Sequence, residues 1–442
     1  MIDLDLVRRE PEKVKENLGR RQVPQYLELF ATVQAADNQW RRLHQEGDRL
    51  RKRRNELSRA LGEARKKGED AKELSEEAQG LPDKLTEVER LERTSQETRD
   101  RTLMRVPNLL ETSVPYGKDD RDNATVATWG EVPKPSFPLL SHGELAEKLG
   151  IADFDRARRA SGAGFFYLEG ALAQLDLALQ RFALDLILAK GFRLVAPPLM
   201  LRRAPYEGVT DLSDFENVMY KIEGDDLYLI ATAEHPLGAL HLGDLLEEED
   251  LPIRLTAATP CFRREIGGHG VDQKGVFRVH QFQKVEQFVF CRPEDSDRIH
   301  EELRANAEDI FQKLRVPYRV VNVCTGDIGT VAAKKYDIEA YFAKQGAYRE
   351  VVSCSNCTDY QARRLGIRMG KRGKPGKVVP HTLNSTAVAT SRAMAVILEN
   401  YQNADGTVTV PEVLRPYMGG VERIAPPALR PKAETVATGD AS

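Results

Sequence analysis

Between Leu29 and Ala64, apolar or small residues recur at alternating spacings of four and three: Leu29, Val33, Ala36, Trp40, Leu43, Gly47, Leu50, Arg54, Leu57, Leu61 and Ala64. Only Gly47 and Arg54 interrupt the seam. A repeat averaging 3.5 residues keeps one stripe of a helix against a partner helix, so a coiled-coil strand is predicted here. A second run, Leu74, Ala78, Leu81, Leu85 and Val88, follows the turn-like segment KKGED at 66–70. Together they predict an antiparallel two-helix arm over about 29–101. About 38 residues at roughly 1.5 Å each give an arm of about 57 Å, too long and polar to fold into a globule. Pro82, close to Gly80, predicts a kink or local break in the second helix, because proline removes an amide and crowds the preceding turn.

Charge is segregated along this arm. Residues 41–67 hold 11 Lys and Arg against 4 acids, and residues 68–100 hold 5 against 11. One reading is that the helices zip together by opposite charge. The other is that Arg41, Arg42, Arg51, Lys52, Arg53 and Arg54 face a phosphate backbone. Both can hold, since a helix has several faces. Taken alone, the arm reads more readily as a dimerisation or spacer element. The net charge of −3 gives no global sign of nucleic-acid binding, so any RNA surface must be a local patch.

The 442 residues allow two or three domains. VPNLLETSVPYG at 106–117 has linker composition and separates an N-terminal domain, 1–105, from a second domain, 118–424. Residues 425–442, rich in proline and then polar, are predicted to be disordered. Helical patterns occupy 171–191, 298–316 and 391–402, and short β-like runs lie at 192–196, 227–232, 253–258, 276–290, 318–323 and 347–354. Strands with few crossover helices predict an α+β fold on an antiparallel β-sheet with flanking helices. No apolar run approaches a membrane span, the start lacks a signal-like apolar core, and five cysteines argue for a reducing compartment; cytoplasm is the expectation.

The chemistry concentrates at 261–290. Arg278, His280, Phe282, Lys284 and Glu286 alternate onto one face of an extended segment, and Arg263 and Glu265 share a face just upstream. Such a face suits a polyanion carrying a flat ring: arginines for phosphate, an aromatic for stacking, carboxylates for a metal or an amine. A solvated sheet face with cross-strand ion pairs is the competing reading. Elsewhere, GIRMGKRGKPGK at 366–377 fails as a P-loop on spacing and on Arg372; it reads as a basic surface loop, with RNA nearby as a further option. Cys354 and Cys357 form a lone CxxC with no second ligand pair, so no zinc is expected. His280 is read as an ordered structural histidine.

The stretch FRRE…FRVHQFQKVEQF resembles motif 2 of class II aminoacyl-tRNA synthetases, and of the seryl-tRNA synthetases among them. GFRLVAPPLM (191–200) resembles motif 1, LIATAEHPL (229–237) the amino-acid loop, EVVSCSNCTDYQARR (350–364) the segment joining ATP and metal, and HTLNSTAVATSRAMAVILENYQ (381–402) motif 3. The resemblance runs from the first residues to about Ile424.

It implies a class II catalytic domain that activates L-serine with ATP and passes it to tRNA-Ser, with tRNA-Sec a further expected acceptor. Thr232, Ala233, Glu234, Arg263, Glu286, Asn384 and Thr386 would hold serine. Its hydroxyl demands polar groups that alanine would leave unpaired, a task suited to Glu286 and Thr386. Arg263, Arg264, Glu265, Val279, Phe282 and Glu350 through Val351 and Val352 to Ser353 would hold ATP, with Arg392 on the γ-phosphate. Glu350 and Ser353 would hold magnesium. Arg263 and Arg392 carry the catalytic expectation. A homodimer is implied by motif 1, and the arm would grip the long variable arm of tRNA-Ser. The chain departs from the family pattern at His235, where an apolar residue is common, at Val352, where serine is frequent, and in the glycine-free STAVATS of motif 3. A paralogue that charges a carrier protein would need no basic arm, and a non-catalytic RNA-binding homologue would be expected to lose Arg263, Glu286 or Arg392.

Overall fold

The computed structural model describes residues 1–210, 218–264 and 275–426. The chain divides into two compact units, Met1–Leu110 and Glu111–Ser442.

The first unit is helical: α1 (Leu4–Arg9), α2 (Pro11–Gly19), α3 (Pro24–Lys67) and α4 (Lys72–Leu103). Pro11 and Pro24 open their helices, where a missing amide costs nothing. Gly68, in the left-handed conformation at φ 71°, ends α3. Cross-helix pairs His44–Glu92, Arg51–Glu89 and Arg53–Glu77 run in opposite numerical order, as antiparallel helices require. Val33, Ala36, Leu57 and Ala64 of the seam are buried, with Leu81 and Leu85 from α4. Gly47 does not break it. The space a Cβ would take there lies 3.2 Å from the Arg51 guanidinium, which lies over the glycine. Arg54 points outward.

The local break expected at Pro82 does not occur. Helix α4 runs unbroken through Pro82. Pro82 is exposed, so the carbonyl that loses its partner can turn to water while Leu81 and Leu85 stay in the seam. Asp37 is a buried charge near the base of the arm. It accepts a two-point contact from Arg8 (2.9 and 2.8 Å) and a third bond from Arg99 (3.2 Å). Burial pushes its carboxyl up, but the two guanidinium groups outweigh that and hold it below the ordinary range. The Arg99 guanidinium also lies 5.0 Å from the Trp40 ring.

The second unit is built on an eight-stranded sheet. Its strands in chain order are β1 (Ala124–Trp129), β2 (Arg193–Leu194), β3 (Ile253–Phe262), β4 (Gln281–Cys291), β5 (Tyr318–Asn322), β6 (Lys334–Phe342), β7 (Ala347–Asn356) and β8 (His381–Ala389). Their spatial order is β1-β5-β6-β7-β8-β4-β3-β2. Neighbours are antiparallel except the short β2–β3 pair. Helices α5 (Gly170–Ala189), α7 (Ser296–Lys313) and α8 (Thr390–Asn400) share the main core with Val285, Val289, Ile338 and Val352 from one sheet face. On the other face, Phe288 and Phe290 of β4 pack with Leu237 of the short helix α6 (Glu234–Ala239). That face carries the candidate site.

β4 starts at Gln281, not near 276 as the alternation predicted. Arg278 and His280 therefore precede the strand. The His280 amide bonds the Gly164 carbonyl (3.0 Å), and its Nδ1 lies 2.8 Å from both the Tyr220 hydroxyl and the Arg263 carbonyl. Those partners fix the ring just ahead of the strand, while the Arg263 amide bonds the His280 carbonyl (2.9 Å). Gly164 (φ 80°) is required there, since a Cβ would meet the imidazole at 2.5 Å. The tail expectation falls largely on 427–442, and Glu265 falls within 265–274; both lie outside the described residues.

Candidate active site

A cavity of about 250 Å³ opens on the sheet face that packs against α6. β4 supplies Phe282, Lys284 and Glu286 to its wall by simple alternation. β8 supplies Asn384 and Thr386, the latter directly opposite Glu286 in the β8–β4 ladder. The loop before α6 supplies Thr232, and the first residue of α6 supplies Glu234. Arg263, just past the end of β3, and Arg392, in the first turn of α8, bring positive charge from two other elements.

β7 adds Glu350, Val351, Ser353 and Ser355, and Ala389 at the end of β8 completes the wall. In a regular strand Glu350 and Ser353 would face opposite sides. A bulge prevents this: Val352 pairs with Ile338 and Glu350 with Glu339, leaving Val351 as the extra residue. Both oxygen-bearing side chains are thereby turned to the cavity, while Val352 is buried in the helix-side core. That explains the departure at Val352. Its side chain belongs to the core, so a hydroxyl there would not reach the site.

The carboxylates of the site are each differently placed. Glu286 is buried, and its Oε2 lies 2.5 Å from Lys284 Nζ and 3.3 Å from the Thr232 hydroxyl. Glu234 accepts from Gln361 Nε2 (2.8 Å) and Asn384 Nδ2 (3.0 Å). Burial and the neighbouring Glu286 charge push its carboxyl up to about 7, against the pull of Lys284, Gln361 and Arg263. Such a group is poised to exchange its proton for an ammonium ion. Glu350 accepts from Arg392 Nη1 at 2.9 Å. Burial pushes Glu350 up, but Arg392, Lys335 and Arg263 outweigh it and leave it below the ordinary carboxylate range.

The Arg263 guanidinium lies 5.3 Å from the Phe282 ring, and its Nε donates to the Ala231 carbonyl (3.2 Å). A flat ring entering the cavity would meet an arginine already over an aromatic face. Near Glu350 of β7, Asp337 of β6 is opposite Ser353 in register and pairs with Lys335 (3.3 Å). Its buried Oδ1 has no hydrogen-bond partner among the described residues. Burial and the nearby Glu350 push this carboxyl up, and Lys335 opposes them. An orphaned carboxylate oxygen beside Glu350 and Ser353 is a donor set suited to a hard divalent cation. Among the described residues no group of three His, Cys, Asp or Glu side chains converges in the manner of a zinc site. Cys354 and Cys357 are buried, and burial raises both thiols.

Eleven of the sequence candidates line one cavity, and four described ones do not. Ala233 and Val352 are buried in hydrophobic clusters, and Val279 is buried ahead of β4. Arg264 also lies off the wall; its amide donates to the Val218 carbonyl (2.8 Å). His235 is a buried ring 4.6 Å from Tyr206. Burial, with Lys284 and Arg263 nearby, drives its imidazole well below its usual range, so it stays neutral and fills an apolar position. Lys284, Ser355 and Ala389 on the cavity wall, with Asp337 and Gln361 beside it, were not among the site candidates. Lys284 was visible two residues before Glu286. Asp337 sits in KKYDIEAYF, whose alternation is legible in retrospect. Gln361 gives no local signal at all.

On the arm, the basic cluster splits. Arg51 pairs with Asp48 (2.8 Å) and Glu89 (3.1 Å), and Arg53 makes two bonds to Glu77 (2.8 and 2.7 Å). Arg41 reaches Asn38 and Asp37. Arg42, Lys52 and Arg54 are exposed and have no ion-pair partner among the described residues.

The chain is similar throughout its length to known proteins. Residues 1–110 match the seryl-tRNA synthetase N-terminal domain, and residues 218–401 match the tRNA synthetase class II core domain (G, H, P, S and T). The serine–tRNA ligase of Methanocella arvoryzae is 55% identical over 423 residues, covering 96% of this chain and 100% of its own. That of Methanoregula boonei is 57% identical over 425 residues, with the same coverage. The crystal structure of seryl-tRNA synthetase from Pyrococcus horikoshii complexed with ATP superposes with a TM-score of 0.93 at 46% identity, covering 96% of this chain and 100% of that one.

Proposed function

The chain belongs to the seryl-tRNA synthetase family and is an ATP-dependent serine–tRNA ligase; on that premise we propose how the cavity and the arm divide the work. Serine lies over β8 and β4, its ammonium against Glu234 and Thr232 and its hydroxyl between Glu286 and Thr386. Asn384 orients Glu234. The observation that carries this reading is the Glu286–Thr386 register across β4 and β8, which sets a carboxylate opposite a hydroxyl in a buried polar wall. A ligand lacking the hydroxyl would leave both groups unsatisfied.

ATP takes the other end of the cavity. Adenine stacks on Phe282, Arg263 contacts the α-phosphate and the serine carboxylate, and Arg392 holds the γ-phosphate. The carboxylate oxygen attacks the α-phosphorus in line, the bond to the β-phosphate bridging oxygen breaks, and diphosphate departs. A 3′-terminal hydroxyl of tRNA then attacks the seryl carbonyl and releases AMP. No protein nucleophile is required. Arg263 and Arg392 act by placing reactants and by meeting the negative charge that develops at phosphorus. Glu350 and Ser353, with Asp337 beside them, fit magnesium. When bound, magnesium supplies charge neutralisation to the triphosphate.

The arm serves tRNA-Ser, with Arg42, Lys52 and Arg54 as its outward charges and Arg41, Arg51 and Arg53 shared with the helix–helix pairs. Extension to tRNA-Sec follows from family membership. Exposed apolar side chains on and near the motif 1 segments, Leu177, Leu194 and Met200, support a homodimer. Among the described residues no helix is long and apolar enough to cross a membrane; we place the enzyme in the cytoplasm. Serine-dependent ATP–pyrophosphate exchange, followed by charging of tRNA-Ser, tests the scheme. Exchange with alanine as fast as with serine would sink the hydroxyl pocket.

A further inference from the structure

The basic loop set aside in the sequence becomes specific in the structure. Met369 and Val378 bond each other through both backbone pairs (2.8 and 3.0 Å), so the loop between them is a closed hairpin. The Gly370 amide ties it to the Leu246 carbonyl (3.0 Å), and Lys374 N to Lys371 O (3.1 Å) tightens the tip. Gly373 and Gly376, at φ 77° and 86°, turn the chain where other residues would be strained. The tip carries Lys371, Arg372, Lys374 and Lys377 and no acid, and every residue from 371 to 378 is exposed.

None of those four cations has an ion-pair or side-chain hydrogen-bond partner among the described residues. On the arm only part of the basic cluster stands free in this way, since Arg51 and Arg53 are answered by Glu89 and Glu77. Four like charges held on one short hairpin repel each other, and their solvation alone gives no reason to collect them there. A polyanion relieves the repulsion and releases condensed counterions.

Placement selects the polyanion. Leaving the hairpin, the chain enters β8, which carries Asn384 and Thr386 of the cavity. Asn384 is about 10 Å along β8 from its first residue, His381. On its other side the hairpin leans on Leu245–Leu246, which follows α6, the helix that begins with Glu234. Both flanks are thus continuous in chain with elements that line the part of the cavity assigned to serine, which the tRNA terminus must reach.

We propose that the hairpin Met369–Val378 binds the backbone phosphates of the 3′-terminal strand of tRNA as its last nucleotide enters the cavity. This deepens the ligase reading and rests on it.

The test is a variant carrying Lys371→Ser, Arg372→Ser, Lys374→Ser and Lys377→Ser, all at exposed positions. Serine-dependent pyrophosphate exchange and its ATP KM should stay within twofold of the unaltered enzyme. Affinity for tRNA-Ser should fall at least tenfold near 0.1 M salt. The slope of log K against log salt should shrink by about 2 to 3, at roughly 0.7 per single-strand phosphate contact. With tRNA-Ser trimmed of its last four nucleotides, the two proteins should bind alike. Unchanged affinity and slope would overturn the proposal. So would an equal loss with trimmed tRNA, which would put the contact elsewhere on the RNA, or a raised ATP KM, which would assign the hairpin to the nucleotide. A failed ligase reading would look different, because the unaltered enzyme would then not charge tRNA-Ser.

Discussion

Lys284 Nζ lies 2.5 Å from Glu286 Oε2, two buried charges on the same face of one strand. The two side chains are 7% and 1% exposed, so each has the other as its near partner in place of water. Removing one member leaves the other buried and uncompensated. Lys284→Met is expected to destabilise the catalytic unit by about 3–5 kcal/mol. Adding Glu286→Gln should recover part of that loss. Denaturant unfolding of the single and double variants measures both, and equal stabilities throughout would show that the pair is solvated.

Arg263 reaches the cavity from the end of β3 and holds no salt bridge to a site carboxylate in its observed contacts. Arg263→Ala is expected to cut pyrophosphate exchange by two to three orders of magnitude, about 3–4 kcal/mol of transition-state stabilisation. The variant should stay folded. Exchange within threefold of the unaltered enzyme would remove Arg263 from the catalytic role.

Glu286→Ala and Thr386→Val are expected to narrow the preference for serine over alanine. The loss should appear as slower serine activation with little change for alanine, because only serine has a hydroxyl to lose a partner. Exchange kinetics with both amino acids decide it. Wild-type selectivity in both variants would put the hydroxyl site elsewhere.

Burial first and the Glu286 charge second push the Glu234 carboxyl up to about 7. An ammonium ion binds its ionised form, so a proton competes with serine below that pH. The serine KM is expected to rise as pH falls from 8 to 6, with proton release on binding near neutrality. Gln361 and Asn384 can still orient an amide, so Glu234→Gln should weaken serine binding and flatten this dependence. A KM profile in the variant as steep as in the unaltered enzyme would reassign the titration.

On the arm, Lys52→Ala with Arg54→Ala should raise the tRNA KM and reduce its salt slope by about 1 to 2 without changing the melting temperature. Arg51→Ala with Arg53→Ala should mainly loosen the helix pair, since those side chains hold Glu89 and Glu77. Thermal melting and tRNA titration separate the two effects. Identical behaviour of both double variants would contradict the division.

Much of this protein could be read from residue order alone, and for one reason. Helical and strand periods are set by local backbone geometry, so the seam from Leu29 to Ala64 and the Phe282–Lys284–Glu286 face were legible without any contact being known. Arg263, Arg392, Glu286 and Thr386 could be named before their distances because they fall on motifs that resemble those of the seryl-tRNA synthetases.

Tertiary structure decided what depends on register and on remote partners. The bulge at Val351, which turns Glu350 and Ser353 to the same cavity, exists only in the pairing of β7 with β6. Glu234 owes its raised carboxyl to burial beside Glu286 and is held by Gln361, 127 positions away. Pro82 stays within an unbroken helix, its pyrrolidine exposed while its neighbours fill the seam. Burial and register are sums over many long-range contacts, and no window of the sequence contains them.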